Sequence, residues 1–336
     1  MPFIRKSVGI VILVMSMIGM ARAEEAKLDD VTMAIPTFSL AFAHEYLNQD
    51  AGFYKKHGLN VKTVQLDGLT TINAVISGSI DFGQASGSSL TRAAAKGQKL
   101  LALALLNDHP STQVVLRSEL LDKAGFDPKA PLAQRALTLK GRTLGMAGVN
   151  SVLYTYVLLI AKRAGFGPDD MHLGVIPPPD MNAAFQRKQI DGFANAVPWT
   201  LMPVVSGDAR IVSAGDDGDL PDLLPFGSSV VLTRPETCVK RRPVCAAIGK
   251  AFVEAAAFMH DRPDEAMAVL KKRFPTLDDK LFAASFQMAR KTFPSPPTPS
   301  AKAFENADRY NVEAGLMKSE EMLASYKDLF TTEFLK

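Results

Sequence analysis

The sequence predicts an α/β protein built as two lobes. Three observations carry this. Short apolar runs alternate with segments of helical spacing from Val31 onward, the rhythm of a parallel sheet with right-handed crossovers. The rhythm occurs twice, and Ile80-Asp81-Phe82-Gly83 in the first set returns in similar form as Ile190-Asp191-Gly192-Phe193 in the second. Phe226–Thr233 then reads as a strand crossing back, before a mostly helical C-terminal part.

In the first set, Val31–Ile35 is a short strand stopped at Pro36. Leu40, Ala43, His44 and Leu47 follow at helical spacing, and Gly52 ends the helix. Leu59–Leu66 alternates as a strand does. Leu69–Ile76 is a helix, and Ile80–Gly83 is a compact strand. Ser86-Gly87-Ser88-Ser89 opens a helix that runs to Ala95. Lys99–Leu106 is an apolar run of the kind buried in a parallel sheet.

The second set starts with a strand at Gln113–Arg117 and a loop-rich stretch over 118–137. Its most telling part is Leu139–Ser151. A short strand, Thr143–Met146, ends in small residues, and Asn150 or Ser151 then caps a long helix, Val152–Ala164, that stops at Gly165. Backbone N–H groups left free at such a helix start hold an anion or a polar ligand head without a reactive side chain. The pattern points to binding rather than chemistry, against the plain alternative of a cap and nothing more. Leu173–Ile176 is a strand leading into Pro177-Pro178-Pro179, a stiff connector at a cleft edge. Asn182–Lys188 is helical and Arg210–Ser213 is a strand. Helices at Val244–His260, Pro263–Arg273, Asp278–Lys291 and Ala301–Gly315 complete the chain, with Phe293–Ser300 a Pro-rich connector.

The N-terminus reads as an export signal over residues 1–23. Arg5 and Lys6 precede an apolar run, Val8–Met20, and Ala21-Arg22-Ala23 supplies small residues for cleavage after Ala23. The run is shorter than the roughly 20 residues of a membrane helix. Its removal takes away Arg5, Lys6 and Arg22, so the remaining Lys and Arg (38 less three) balance the 35 acidic residues. A nucleic-acid partner needs a dense basic patch, and Lys240-Arg241-Arg242 is too short for one. The two Cys, Cys238 and Cys245, have no His pair beside them and too few ligands for a metal site. In an oxidising compartment they read as a local disulfide, with two buried thiols as the alternative. No Gly-x-Ser-x-Gly elbow, His-Glu-x-x-His or phosphate loop is present. An enzyme, a metal site and a cofactor are therefore not expected.

Four passages carry a family likeness: Gly52–Leu59, Gly78–Gly83, Leu139–Gly148 with Ala164-Gly165-Phe166, and Ala184-Phe185 through Gln189–Phe193. Through them the chain resembles the solute-binding proteins of ABC importers. Within these it is similar to the NMT1/THI5-like branch and to nitrate, sulfonate and taurine binders. The resemblance implies a periplasmic-binding-protein fold with two hinge crossings. It places lobe 1 at 24–112 and 230–336 and lobe 2 at 113–229. It implies a periplasmic monomer that captures a small, organic, anionic solute in the cleft and delivers it to an ABC permease in the inner membrane. Two alternatives use the same fold: an enzyme like the thiamine-pyrimidine-precursor synthases, whose Cys-rich motif is absent here, and a binding protein that feeds a sensor.

By position, the resemblance makes Thr37 and Phe38, Ser86 and Ser88, Asn150 and Ser151, Trp199 after Pro198, and Phe226 near Ser228 the ligand-binding candidates. It places no Arg against the anion. Trp199, the only Trp, has a broad stiff ring suited to stacking on a ligand, or equally to filling a core. Ser86, Ser88 and Ser151 read equally as N-caps. His44 and His57 read as structural or solvated, and Asp81 and Asp191 as strand ends bonded to local backbone. Intact mass of protein recovered from the periplasm should correspond to a chain starting at Glu24; a membrane-bound species retaining Met1–Ala23 would refute the export signal.

Overall fold

In chain order the strands are β1 (Asp29–Ile35), β2 (Leu59–Gln65), β3 (Phe82–Ala85), β4 (Leu101–Asn107), β5 (Gln113–Arg117), β6 (Thr143–Met146), β7 (His172–Val175), β8 (Gly192–Asn195), β9 (Ala209–Ala214) and β10 (Ser229–Thr233). They form two five-stranded sheets, ordered β2-β1-β3-β10-β4 and β7-β6-β8-β5-β9. These come from a computed structural model that describes residues 28–148, 151–177 and 180–336. The export signal, Asn150, Pro178 and Pro179 lie outside the described residues.

Both sheets follow one plan. β1 pairs in parallel with β2 and β3, and β6 with β7 and β8. Each sheet then receives one antiparallel strand, β10 between β3 and β4 in the first and β5 between β8 and β9 in the second. The apolar run at β4 is thus not a parallel-sheet strand, as its composition suggested. It pairs antiparallel with β10, and the C-terminal chain covers its other side: Leu105 N donates to Pro297 O at 2.8 Å and Thr331 N to Ala102 O at 3.0 Å. An apolar run reports burial on both faces, not the direction of the neighbouring strand.

A second correction concerns the repeated Ile-Asp motif. β3 and β8 each begin two residues later than expected, at Phe82 and Gly192. Asp81 and Asp191 precede their strands. Their carboxylates accept from the backbone N–H of Thr32 and Thr143, both at 2.9 Å. They clip each strand start to its neighbour in the sheet rather than to local backbone.

The helices are α1 (Ala43–Asp50), α2 (Phe53–Lys56), α3 (Gly68–Ser77) and α4 (Gly87–Ala95) in the first stretch, then α5 (Ser118–Lys123), α6 (Leu132–Ala136), α7 (Val152–Arg163), α8 (Met181–Gln186) and α9 (Leu201–Val205) in the second. The C-terminal part adds α10 (Pro235–Lys240), α11 (Arg242–Asp261), α12 (Pro263–Lys271), α13 (Asp279–Arg290) and α14 (Ala301–Glu313). Side-chain caps fix several starts: Asp67 on α3, Ser86 on α4, Ser151 on α7, Asp278 on α13 and Ser300 on α14. The α7 helix ends before Gly165, whose φ of 81° suits glycine. The α11 helix buries Val244, Ile248, Ala251, Phe252, Ala255 and Met259, the three- and four-residue spacing of one apolar stripe.

Glu45 on α1 holds the first lobe's layers together. It is fully buried, and it accepts from the hydroxyls of Tyr54 and Thr63, both at 2.5 Å, from Gln84 Nε2 at 3.0 Å and from Gln49 Nε2 at 3.3 Å. These partners come from α2, β2, β3 and α1. Burial pushes the Glu45 carboxyl up, while the hydrogen bonds and the charge of Arg273 oppose that shift. His44 beside it is buried between Phe293 and Phe252, and burial pushes it down to about 3, so it is a neutral core residue. His57 takes the other sense of its reading, a surface pair with Glu254 at 2.9 Å.

The α14 helix serves both lobes. Ala303 and Phe304 pack in a core of the first sheet, with Ala85 and Val230. Ala307, Tyr310 and Ala314 pack in a core of the second, with Tyr156 and Leu159. Cys238 and Cys245 are disulfide-bonded, with Cα atoms 5.5 Å apart, and join α10 to the first turn of α11. By the chain-entropy account, so short a loop contributes about 2–3 kcal/mol. The Cys238→Ser, Cys245→Ser double variant should lose that much unfolding free energy in denaturant titration, and unfolded, unreduced wild type should show no titratable thiol.

Candidate inter-lobe site

In parallel sheets, ligands bind beyond the carboxyl ends of the strands. Here those ends lead to Pro36–Ser39 after β1, to Ser86 after β3, to Ser151 after β6 and to Ala196–Thr200 after β8. The first and last of these loops meet across the lobes. Ser39 Oγ donates to Val197 O at 3.2 Å, and Trp199 Nε1 donates to Phe38 O at 3.3 Å. Trp199 and Phe38 are both half-buried. The Phe38 ring stacks on Phe274, centroids 4.6 Å apart, and tilts against Tyr46. Thr37 lies beside it, half-buried. Structure therefore joins two of the sequence candidates through a carbonyl and an indole N–H, not through their rings. Val197 and Leu201 of lobe 2 are buried with Phe42 and Phe274 of lobe 1, so the lobes are closed on one another here.

Ser86 and Ser88 sit at the start of α4. Ser86 Oγ lies 3.0 Å from Ser88 Oγ, donates to Ser89 Oγ at 2.9 Å and accepts from Ser89 N at 3.2 Å. Arg92 Nη2 reaches back to Ser89 Oγ at 3.5 Å. Burial lowers the Arg92 guanidinium from its ordinary value, and the Tyr310 hydroxyl works against that shift. Ser151 Oγ caps α7 by accepting from Tyr154 N at 3.1 Å. The two helix starts are tied to adjacent residues of α14. Asn311 Nδ2 donates to Ser88 O at 2.9 Å, and Tyr310 Oη donates to Val152 O at 2.8 Å. Gly87 approaches the second crossing so closely that a Cβ there would lie 2.6 Å from Gly227 O. Arg92, Tyr310 and Asn311 were not among the sequence candidates. Arg92 lies mid-helix with no motif around it, and the α14 residues are far away in the chain.

Phe226 is corrected. Its ring is fully buried in the second lobe's core, 4.9 Å from Tyr310, where α14 packs against it. The crossing itself is paired with the other one: Phe226 N donates to Asp108 O at 2.7 Å and Ser228 N to Asn107 O at 3.1 Å.

A cavity of about 220 Å³ opens in lobe 1 beside Phe38, lined also by Glu45, Tyr46, Thr63 and Arg273. The Arg273 guanidinium there is held by Asp50 and lies over the Tyr46 ring at 4.9 Å. Among the described residues no cluster of three His, Cys, Asp or Glu could hold a metal ion, and no helix is long and apolar enough to cross a membrane.

Two sheets, two crossings and facing strand ends define the two-lobed fold of the periplasmic binding proteins. The alkanesulfonate-binding protein SsuA from Xanthomonas axonopodis pv. citri, solved with MOPS bound, superposes with a TM-score of 0.68 at 17% identity, covering 91% of this chain and 99% of that one. The chain belongs to the NMT1/THI5-like family, whose model matches residues 39–266. The bicarbonate transport ATP-binding protein CmpC of Synechocystis sp. is 25% identical over 232 residues, 66% of this chain and 34% of that protein. A putative aliphatic sulfonates-binding protein of Escherichia coli is 25% identical over 201 residues, 60% of this chain and 58% of that one. The chain thus spans about a third and somewhat over half the length of these relatives.

Trp199→Phe keeps a ring and removes the bond to Phe38 O, worth about 1 kcal/mol. Small-angle scattering of the ligand-free variant should give a larger radius of gyration than wild type; an unchanged radius would show that this bond does not hold the lobes together.

Proposed function

We propose that the chain is the periplasmic solute-binding component of an ABC importer, a binding protein and not an enzyme, acting as a monomer with a membrane permease. The solute is a small organic anion held between the lobes. One observation carries this reading: each lobe offers a serine-capped helix start, α4 and α7, and both are fastened to neighbouring residues of α14. Each start carries about half a positive charge. Arg92, beside the Ser86–Ser89 hydroxyls, adds a full one, the basic residue that the sequence reading could not place. Thr37, Phe38, Ser86, Ser88, Asn150, Ser151 and Trp199 remain the proposed lining. The names of the relatives, which speak of sulfonates and bicarbonate, support an anionic class. The crossings near residues 107–116 and 226–232 would serve as the hinge. A ligand then favours the closed form only through contacts that both lobes make.

A thermal-shift screen of alkanesulfonates, short carboxylates, nitrate, bicarbonate and pyrimidines tests the reading. A ligand at 100 times its Kd adds about 2.7 kcal/mol of stability. An anion should be the hit, and Arg92→Gln should weaken it about 10- to 100-fold in calorimetric titration, as expected for a lost charge-assisted bond. A hit confined to uncharged molecules, or an unchanged Kd in Arg92→Gln, would overturn the anion assignment.

A further inference from the structure

Between the closed lobes lies a small cavity of about 10 Å³, room for a single water molecule. Asn107 at the end of β4 and Thr292 after α13 line it from lobe 1. Val197 and Asp216 line it from lobe 2, and Ser111 lines it from the first crossing. Asn107 is fully buried. Its Nδ2 donates to Thr292 Oγ1 at 3.3 Å, but its Oδ1 has no hydrogen-bond partner. On the opposite wall, Asp216 is 8% exposed. Both of its carboxyl oxygens accept from Gln113 Nε2, at 3.1 and 2.8 Å, and its own backbone N–H adds a second donor. Thr200 Oγ1 donates to Gln113 Oε1 at 2.6 Å and fixes that amide's orientation.

The charged surroundings do little for a carboxylate here. Among the described residues no Lys or Arg forms an ion pair with Asp216. Asp217 on its own turn repels it. His109 on the first crossing attracts it, but that ring is already bonded to Asp108 at 2.6 Å. Tyr156 of α7 gives its hydroxyl to a contact with Ser213 at 2.6 Å, and Asp219, which also meets Ser213, is ion-paired with Arg135. Closure therefore leaves an acceptor without a donor on one wall and, on the other, a buried carboxylate with hydrogen bonds but, among the described residues, no Lys or Arg paired with it. One proton answers both needs, since a neutral carboxyl has a donor to offer across the void.

We propose that lobe closure takes up a proton at Asp216, so that an acidic medium favours the closed form. This rests on the reading that the lobes open and close around a solute. With the lobe 1 wall in place, burial raises the Asp216 carboxyl to about 6. Opening removes that wall and returns it toward the ordinary value of about 3.9. The closed form thus holds the extra proton between those two values. Its advantage is full below about pH 4 and lost as the pH rises through 6. Between pH 7.5 and 5 the closed-to-open ratio should rise about tenfold.

Spin labels on Leu69→Cys in lobe 1 and Val175→Cys in lobe 2, residues 63% and 61% exposed, read the inter-lobe distance in the ligand-free protein. The expected result is a short-distance population that grows as the pH falls from 7.5 to 5, and that no longer depends on pH in Asp216→Asn. A pH-independent ratio in the wild type, or the same pH dependence in Asp216→Asn, would overturn the proposal while leaving the moving lobes intact. A single distance at every pH, unchanged by an anion hit from the thermal screen, would remove the moving lobes as well. Carboxyl carbon resonance of Asp-labelled wild type gives a check that needs no substitution at Asp216: one carboxyl must titrate near pH 6, and its absence would refute the proton site.

Discussion

The pairing of β4 with β10 is the constraint on which the rest of the structure depends. Asn107 and Ser229 are register partners in one antiparallel ladder. Everything between them, the whole second sheet and its helices, is an excursion that leaves and returns at the same rung. Closing a long loop costs little more than closing a short one, because the entropy grows only with the logarithm of length. The two crossings then bond to each other side by side, through Asp108 and Phe226, Asn107 and Ser228. In the proposed opening, the lobes would twist and bend about this short waist.

Contacts on either side of the waist limit that motion. On one side Val197 and Leu201 join the core that contains Phe42 and Phe274. On the other, α14 buries Phe304 with the first sheet and Tyr310 with the second. Arg163 of α7 adds ion pairs to Glu313 on α14 and to Asp222 before β10, at 2.7 and 2.8 Å. These charges are partly exposed, and such pairs contribute little individually. The apolar burial of α14 in two cores stabilises the arrangement more than they do, so the helix carries the geometry of both helix starts that it touches.

Much of this was legible in the chain. The alternation of short apolar runs and helical spacing marks most of the elements, because burial imposes those periods directly. Ser86 and Ser151 announce their helices because a cap is a local property. The proximity of Cys238 and Cys245 announces their bridge. What was hidden is what depends on distant partners. The direction of β4's neighbour is invisible from β4. Ile80 and Ile190 look like strand residues, yet each precedes its strand, behind the aspartate clip to a chain segment some fifty residues away. Phe226 near a hinge reads as cleft-facing, and only the position of Tyr310 turns it inward. Arg92 carries no local signal, since its neighbours in space include a hydroxyl on its own helix start and a tyrosine more than two hundred residues on.

The shared helix also couples the two halves. All five strands of the second sheet are present in the chain by Ala214, yet Ala307, Tyr310 and Ala314, which complete its core, belong to about the last tenth of the sequence. The same segment brings Ala303 and Phe304 to the first sheet. One helix thus closes a core in each half, whereas the core of Val115, Phe185 and Phe193 behind the second sheet is built without it. Loosening α14 would unpack both halves at once.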